Sequence, residues 1–595
     1  MIKNWLPGFM LSTNLFVGAL IFALSLAIFL LSPVHQVTDS AYSMLLSENL
    51  LHHRSFALDE HYSLPLHEPR AVDNYLANGD IYQLEIIKGH LYYHFPPGSS
   101  VLSIPFVAVM NILGVSAANS DGTYSPSGEE KVESIIAALV MGALAVVFFY
   151  LALLVLPAEW SALVSLGSVL GTQIWSTASR ALWSDTWGTL LLGIVLLMLL
   201  AQETGRHNLN PILLATVLAW MYFVRPTYSI HIIAVTVYVF WFYRHLFIAY
   251  LVTGALWVTG FVFYSWRIYG RLLPPYYQPA RLHFAVVLPG LAGTLFSPAR
   301  GLLVYVPALF FVGYLLVRYR RELRFPRLVL MAAFVIVCHV VITSASLHWY
   351  GGYSFGPRFT TGLAPWFALL AVLGIRGMLA HRMSLGSADK RSFRVELMTG
   401  GVLLLLSIAI NGLGAADRAT WFWNKRPDVD QHPERLWDWR QPQFLAGLIR
   451  PPRPKEIAPL PAGRIEFAKP EADRYLWYGW SSAEPGFRWT DGKEAALVFG
   501  LDQVRDVQLT IKYVPFLVAN RHPRQRVLVY LNGASVDSFD AEEDSERERT
   551  VRLPVNLLRR ENSLRFDLPD AASPASFGTG DDDRELGIAV RWMDF

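Results

Sequence analysis

The sequence predicts a polytopic α-helical membrane protein carrying an all-β sandwich domain at its C-terminal end. Three observations predict it. Hydrophobic residues make up 53% of the 595 residues and charged residues only 16%, against about 25% charged in ordinary globular domains. The charge is uneven: 42 of the first 414 residues are Asp, Glu, Lys or Arg, against 55 of the last 181. The first part also breaks into apolar runs of membrane-crossing length, whereas the last part breaks into short alternating runs. A net charge of +3 is close to balance, and no basic cluster is interleaved with exposed aromatics, which argues against a nucleic-acid partner. The single cysteine, Cys338, lies in an apolar run, so neither an intrachain disulfide nor a Cys-based zinc site can form.

The first apolar run, Leu11 to Leu31, is long enough to cross roughly 30 Å of hydrocarbon. It lacks a small-residue cleavage site and reads as a retained helix. Further spans are expected over 134–156, 160–177, 186–202, 211–225, 228–243, 247–266, 301–317, 328–346, 359–380 and 398–414, eleven in all with the first. The most basic connections hold Arg318, Arg320, Arg321, Arg324 and Arg327, and then Arg382, Lys390, Arg391 and Arg394. By the positive-inside rule both belong in the cytoplasm with Lys3. That puts 33–133, 178–185, 267–300, 347–358 and everything after 414 on the outer side. One more apolar run, Ser99 to Val115, is short and interrupted by Pro105, and a crossing there would break the parity. It reads as a juxtamembrane or re-entrant helix on the outer face.

Residues 1–414 therefore form the membrane domain, 415–461 a linker with a Pro- and Arg-rich stretch from Arg450 to Pro461, and 462–595 the sandwich. Strands are expected over Ala495–Gly500, Val507–Val514, Arg526–Leu531, Thr550–Pro554, Ser563–Leu568 and Leu586–Trp592, with Asn532-Gly533 as a tight turn. The acidic stretch Asp540 to Glu548 reads as a solvated loop.

The residues able to carry chemistry gather on the outer loops. Asp39 follows the first helix, where a carboxylate at the membrane surface can accept a proton from a hydroxyl; as an N-cap of the helix expected over Ser40 to Leu51 it would serve equally well, and both readings stay open. Asp185, between Trp183 and Trp187, is one of only three acids between Glu133 and Glu322. An ionisable group at that depth is a functional candidate, with helix capping as the alternative. Arg300 in Ser297-Pro-Ala-Arg-Gly301 and Arg358 in Tyr350-Gly-Gly-Tyr-Ser-Phe-Gly-Pro-Arg358 can clamp a phosphate bidentately or anchor at the interface by snorkelling. Arg225 shares that ambiguity, and His94 in Tyr92-Tyr-His-Phe-Pro-Pro-Gly98 could touch the same anion. Walker, Rossmann and zinc-protease patterns are absent.

In their order, Thr38-Asp39-Ser40, His94-Phe-Pro-Pro97, Asp185, Arg225-Pro-Thr227, Leu273-Pro-Pro-Tyr-Tyr277, Ser297-Pro-Ala-Arg-Gly301 and Trp349 to Arg358 resemble the GT-C superfamily of polytopic glycosyltransferases. The branch is the one holding protein O-mannosyltransferases and the aminoarabinose transferases of lipid A. The resemblance covers residues 10 to 415. It implies a polyprenyl-phosphate-linked sugar donor and transfer to a hydroxyl of an envelope glycan, lipid or protein on the outer face of a bacterial inner membrane. Asp39 then matches the catalytic carboxylate as general base of an inverting displacement, and Asp185 orients the acceptor or the base. Arg300 and Arg358, with His94 and Arg225, meet the donor phosphate. Ser40 replaces the second acid of a frequent Asp-Glu pair, and His94 stands where some relatives place lysine, which leaves metal use open. The C-terminal domain resembles β-sandwich modules appended to envelope glycan-modifying enzymes, through Asn532-Gly533, Asn562, Gly580 to Arg584 and Leu586 to Ile588, and implies glycan binding in the periplasm. Two rivals are a flippase of lipid-linked sugars, for which repeats and midplane helix breaks are not seen, and a glycan receptor, for which eleven spans exceed what anchoring requires.

Overall fold

The computed structural model describes residues 6–64, 81–278, 282–385, 390–425, 427–451, 453–454, 456–461, 463–579, 582 and 584–595. Lys3, Gly580, Asp581 and Asp583, which figure in the sequence reading, lie outside the described residues. The chain forms two compact units, Met1–Gly447 and Leu448–Phe595.

The first unit is helical. α1 (Leu6–Leu31) leads into a long excursion containing α2 (Ser43–His52), the antiparallel hairpin β1 (Leu84–Ile87) and β2 (His90–Tyr93), and α3 (Gly98–Ile112). Then come α4 (Pro126–Leu153), α5 (Ala158–Leu170), α6 (Ser184–Glu203), α7 (Pro211–Val224), α8 (Ser229–Phe242), α9 (Arg244–Tyr269), α10 (Val287–Phe296), α11 (Leu302–Tyr305), α12 (Ala308–Arg318), α13 (Pro326–Ser344), α14 (Ala364–Leu385), α15 (Lys390–Ala416) and α16 (Arg418–Phe422). Local sequence sets the starts: Ser125 caps α4 by accepting from the Gly128 amide, Asn210 caps α7, and a proline follows each cap.

Every expected span falls on a helix or a pair of helices. Among the described residues seven helices are long and apolar enough to cross a membrane, and the other expected crossings fall on shorter apolar helices. Burial separates two kinds of helix. In α4 67% of the apolar window is buried, and α4 packs against α1, α5 and α6 at the centre of the unit; in α9 only 11% is buried, so its apolar surface faces lipid. The 301–317 span is broken between α11 and α12 at Val306-Pro307, where proline supplies no amide.

The expected re-entrant segment is α3, 15 residues with Pro105 inside, or about 22 Å of helix. Its first residue is glycine for a packing reason: a Cβ on Gly98 would run into the backbone of Phe223 and Val224 at the end of α7. The two basic loops lie together, since His381 Nδ1 is 2.7 Å from the Glu322 carboxylate and Tyr319 donates to Glu396 at 2.7 Å. At the opposite end the loop after α1 meets the end of α15 and the segment before α6, as the Val34 amide bonded to the Ala415 carbonyl and the Gln36 amide bonded to that of Arg180 show.

Two boundaries differ from the sequence reading. The first half of the expected 415–461 linker is no spacer: Trp423, Val429 and Leu436 are buried against Ala299 and Tyr350, because three large apolar side chains outweigh the Pro and Arg content that suggested an open chain. α10 is an apolar helix inside the expected outer segment 267–300, too short and too rich in glycine to read as one.

The second unit is a sandwich of two five-stranded sheets. Its strands are β3 (Ile465–Glu466), β4 (Leu476–Tyr478), β5 (Arg488–Asp491), β6 (Glu494–Gly500), β7 (Val507–Pro515), β8 (Gln525–Leu531), β9 (Ala534–Ala541), β10 (Arg547–Leu553), β11 (Glu561–Asp567) and β12 (Leu586–Asp594). One sheet runs β4-β6-β11-β8-β9; the other runs β10-β7-β12-β3, with β5 also paired to β12. All six expected strands are present. Asn532 and Gly533, with φ of 50° and 91°, close the β8–β9 hairpin with the double left-handed turn that their types favour. The acidic stretch departs from the solvated loop: Asp540 and Ala541 end β9, and Arg547 and Glu548 begin β10. β9 was not legible because it is an edge strand on which only Ala541 is buried, so apolar alternation is weak there.

Candidate active site

Asp39 sits on the loop between α1 and α2, and its neighbours hold it from three directions. The Tyr93 hydroxyl donates to its backbone carbonyl at 2.6 Å, and Gln83 Nε2 donates to the carbonyl of Thr38 at 2.9 Å, so the β1–β2 hairpin clamps the loop from one side. Ser40 and Ser43 donate to the Glu133 carboxylate on α4 at 2.8 and 3.2 Å, and the Leu182 amide donates to the same group at 3.1 Å. Glu133 thus ties the Asp39 loop to the segment that carries Asp185.

The helix-cap reading of Asp39 does not hold. The residue at the cap of α2 is Tyr42, with φ of 71°, and the free amides of Met44 and Leu45 donate to Glu129 from α4. A carboxylate does cap this helix, as the physics of a helix N-terminus asks, but it arrives from 85 positions away.

The Asp39 side chain faces the opposite way. Oδ1 accepts from the Tyr82 hydroxyl at 3.0 Å, and Oδ2 accepts from Nη2 of Arg358. Asp39 is 31% exposed and Arg358 only 7%. The Arg358 guanidinium lies 3.6 Å from the centre of the Trp183 ring, a close cation–π stack. Burial opposes ionisation of Asp39, but the charge and hydrogen bond of Arg358, the Tyr82 hydroxyl and the charge of Arg225 outweigh it and hold the carboxyl below the usual carboxylate value. Burial and the Asp39 charge push the Tyr82 phenol well above its ordinary value, so it stays a donor.

Asp185 lies in the first turn of α6 and pairs with Arg225, both buried. Arg225 also approaches Ser184 Oγ at 3.4 Å and lies 5.8 Å from the Phe359 ring centre, next in sequence to Arg358. Two Asp–Arg pairs therefore stand side by side with no net charge. His94 is buried and its Nδ1 is 3.1 Å from Glu85, beside Phe95 and Tyr276.

Arg300 requires a correction as a phosphate ligand. Its guanidinium is 1% exposed and donates to the carbonyls of Ala299, Tyr350 and Gly352 and to the side chains of Gln443 and Asn424. Burial pushes it down to about 10, still charged at neutral pH. Every direction in which it could donate is taken by protein, and it locks three chain segments together. Sequence reasoning could not separate it from Arg358, because its partners Asn424 and Gln443 come from the stretch read as linker.

Tyr82, Tyr93, Glu133 and Trp183 were not singled out from the sequence. Glu129 and Glu133 did carry a signal, as two acids four apart on one face at the start of an apolar helix. Arg180, 1% exposed, donates to the carbonyls of Phe29 and Ser32 at the end of α1 and fixes where that helix delivers the Asp39 loop. Among the described residues no three His, Cys, Asp or Glu side chains gather so that they could hold a metal ion.

No protein-family model matches the chain, and no curated protein matches it. Among solved structures it is similar to the oligosaccharyltransferase of Archaeoglobus fulgidus in its apo form, at 13% identity and a TM-score of 0.41, over 75% of this chain and 62% of that one. The archaeal oligosaccharyltransferase AglB from Archaeoglobus fulgidus, in complex with an inhibitory peptide and a dolichol-phosphate, gives 13% and 0.41, over 76% and 62%. ArnT from Cupriavidus metallidurans bound to undecaprenyl phosphate gives 12% and 0.39, over 76% of this chain and 82% of that one. The chain thus spans less than two thirds of the oligosaccharyltransferase. These likenesses are weak, and the functional reading rests on the residues themselves.

Proposed function

We propose that this chain is a membrane glycosyltransferase that moves one sugar from a polyprenyl-phosphate carrier to a hydroxyl of an envelope glycan, lipid or protein. The observation that carries the reading is the partly exposed Asp39 carboxylate, braced by Tyr82 and set against a stacked arginine where the loops of one end converge. The ordered motifs that resemble GT-C glycosyltransferases support it from the sequence side.

In this reading the acceptor oxygen attacks the anomeric carbon of the donor and its proton passes to Asp39. The bond from the anomeric carbon to the phosphate oxygen breaks, and the polyprenyl phosphate leaves with the electron pair. One displacement inverts the anomeric centre. Arg358, with Arg225 behind it, balances the charge that grows on the leaving phosphate, where fixed charges lower a barrier most. Asp185 holds Arg225 in place, and His94 with Glu85 shapes the wall beside Tyr276. The site end faces the outer side of a bacterial inner membrane, and the sandwich is a periplasmic module that binds or positions the acceptor.

The test is turnover of a panel of radiolabelled undecaprenyl-phosphate sugars by the purified chain in nanodiscs. Release of undecaprenyl phosphate by the parent and not by Asp39→Asn is expected. No release from any donor would overturn the reading.

A further inference from the structure

The two groups just assigned to opposite ends of the reaction hold each other in the structure. Arg358 donates from Nη2 to Oδ2 of Asp39. Its position is set by other contacts as well: the guanidinium stacks on Trp183 at 3.6 Å, while Nε is buried and has no hydrogen-bond partner. Asp39 likewise has anchors that do not depend on Arg358, because Tyr82 donates to Oδ1 at 3.0 Å and Tyr93 holds the backbone carbonyl at 2.6 Å. The pair therefore joins a cation fixed by its stack to a carboxylate fixed by two tyrosines, and it can open without either side losing its place. Only the carboxylate is open to solvent to any extent. An anion that takes the position of Oδ2 meets Nη2 of Arg358 directly.

We infer that Arg358 is exchanged during the cycle: Asp39 holds it until the donor phosphate binds, and the phosphate then takes it and releases Asp39 to act as the base. The inference rests on the reading under Proposed function. A carboxylate on an arginine is a poor base; the same carboxylate beside a bound anion and without its cation is a better one. The exchange therefore produces the base only once the donor is in place. Charge is conserved in a favourable sense through the step. The donor phosphodiester carries one negative charge and the leaving polyprenyl phosphate more, while Asp39 becomes neutral as it accepts the hydroxyl proton. Arg358 is thus drawn to the phosphate most strongly when Asp39 no longer competes, and it returns to Asp39 when that proton and the product leave.

The distinguishing experiment measures the affinity of undecaprenyl phosphate for the full chain in nanodiscs. Asp39→Asn removes the competing charge and should bind about tenfold more tightly than the parent, the scale on which one partly desolvated charge pair acts. Asp39→Ala is the second variant, should the first fail to fold, and should show the same gain. Tyr82→Phe leaves the ion pair in place and should stay within about twofold of the parent, a difference below what one hydrogen bond contributes. Equal or weaker binding by the Asp39 variants would overturn the exchange while leaving the glycosyltransferase reading standing. An equal gain in Tyr82→Phe would overturn it too, because loosening the loop would then suffice. Failure of the parent and all variants to bind undecaprenyl phosphate would remove the glycosyltransferase reading itself.

Discussion

Arg358 donates to the carboxylate of Asp39 across 319 positions of sequence, and Arg225 donates to that of Asp185 across 40. The two acids that stand out in the sequence are each paired with one of the cations that stand out. Pairing of this kind keeps both guanidinium groups in place. It also leaves the quartet without net charge, so an anionic donor that displaces a carboxylate gains the charge of the arginine that carboxylate held. The more exposed of the two, Asp39, is the one that can be displaced.

Arg358 and Arg300 should respond differently to removal. Arg358→Ala should weaken binding of undecaprenyl phosphate by roughly 2–5 kcal/mol, the range for a desolvated charge pair. Arg358→Lys should restore only part, because lysine keeps the charge and loses the planar group that stacks on Trp183. Arg300→Ala should leave the affinity of the folded protein unchanged and lower its stability by about 2–4 kcal/mol, since Gln443, Asn424 and three carbonyls lose a buried donor. Thermal unfolding and direct binding, measured on the same preparations, separate them; a loss of affinity in Arg300→Ala at full folding would restore it as a ligand.

Much of this was legible in the sequence where the signal is local. The presence of α2 was legible, although it starts at Ser43 and not at Ser40; the β8–β9 hairpin follows from Asn532-Gly533, and the helical unit from hydropathy. Asp39 stood out by its place just after the first helix, and Asp185 because acids are scarce between Glu133 and Glu322. What stayed hidden depends on contacts between distant segments. Glu129 replaces Asp39 as the cap of α2, Glu133 braces Ser40 and Leu182, and Gln443 turns Arg300 from a candidate ligand into a structural lock. Each needs two segments 49 to 143 positions apart to be in contact. No periodicity or spacing rule reaches that far.

Glu133 offers a test of whether the Asp39 loop must be held. Its two oxygens take Ser40, Ser43 and the Leu182 amide. Glutamine keeps one acceptor and turns an NH₂ toward groups that are themselves donors. Glu133→Gln should lower kcat by about tenfold while moving the donor KM little, because a base displaced by a fraction of an ångström affects the transition state more than binding. A proportional loss of active protein with kcat per folded molecule unchanged would assign Glu133 to folding alone.

The boundary at Gly447 makes a truncation informative. A chain ending after Gly447 keeps Asn424 and Gln443 on Arg300, whereas one ending after Lys425 keeps only the first. The longer chain should fold and release polyprenyl phosphate from a lipid-linked sugar, with use of the natural acceptor weakened. The shorter one should unfold at a lower temperature. Size-exclusion profiles and donor turnover on both report this directly, and complete loss of turnover in a folded 1–447 chain would move part of the active site into the sandwich.

Asp39→Asn is the decisive substitution for chemistry. Asparagine keeps the shape and can still accept from Tyr82, but it cannot take a proton, so sugar transfer should fall by roughly 10²- to 10⁴-fold. The helix cap offers no alternative account of such a loss, since Tyr42 and Glu129 occupy that role. The pH dependence carries the same assignment. Arg358, Tyr82 and Arg225 face Asp39 and hold its carboxyl below the ordinary value of 3.8. Its pairing therefore stabilises the fold at pH values above that of an unpaired aspartate, and the contribution is lost as the pH falls through the lowered value. The acid limb of kcat/KM, which reports the free enzyme, should lie below pH 3.8. That of kcat, which reports the donor complex, should lie higher, because the phosphate has taken Arg358 and placed a like charge beside Asp39. Coincident acid limbs would mean that Asp39 keeps Arg358 throughout, and transfer by Asp39→Asn within a few-fold of the parent would end its assignment as the base.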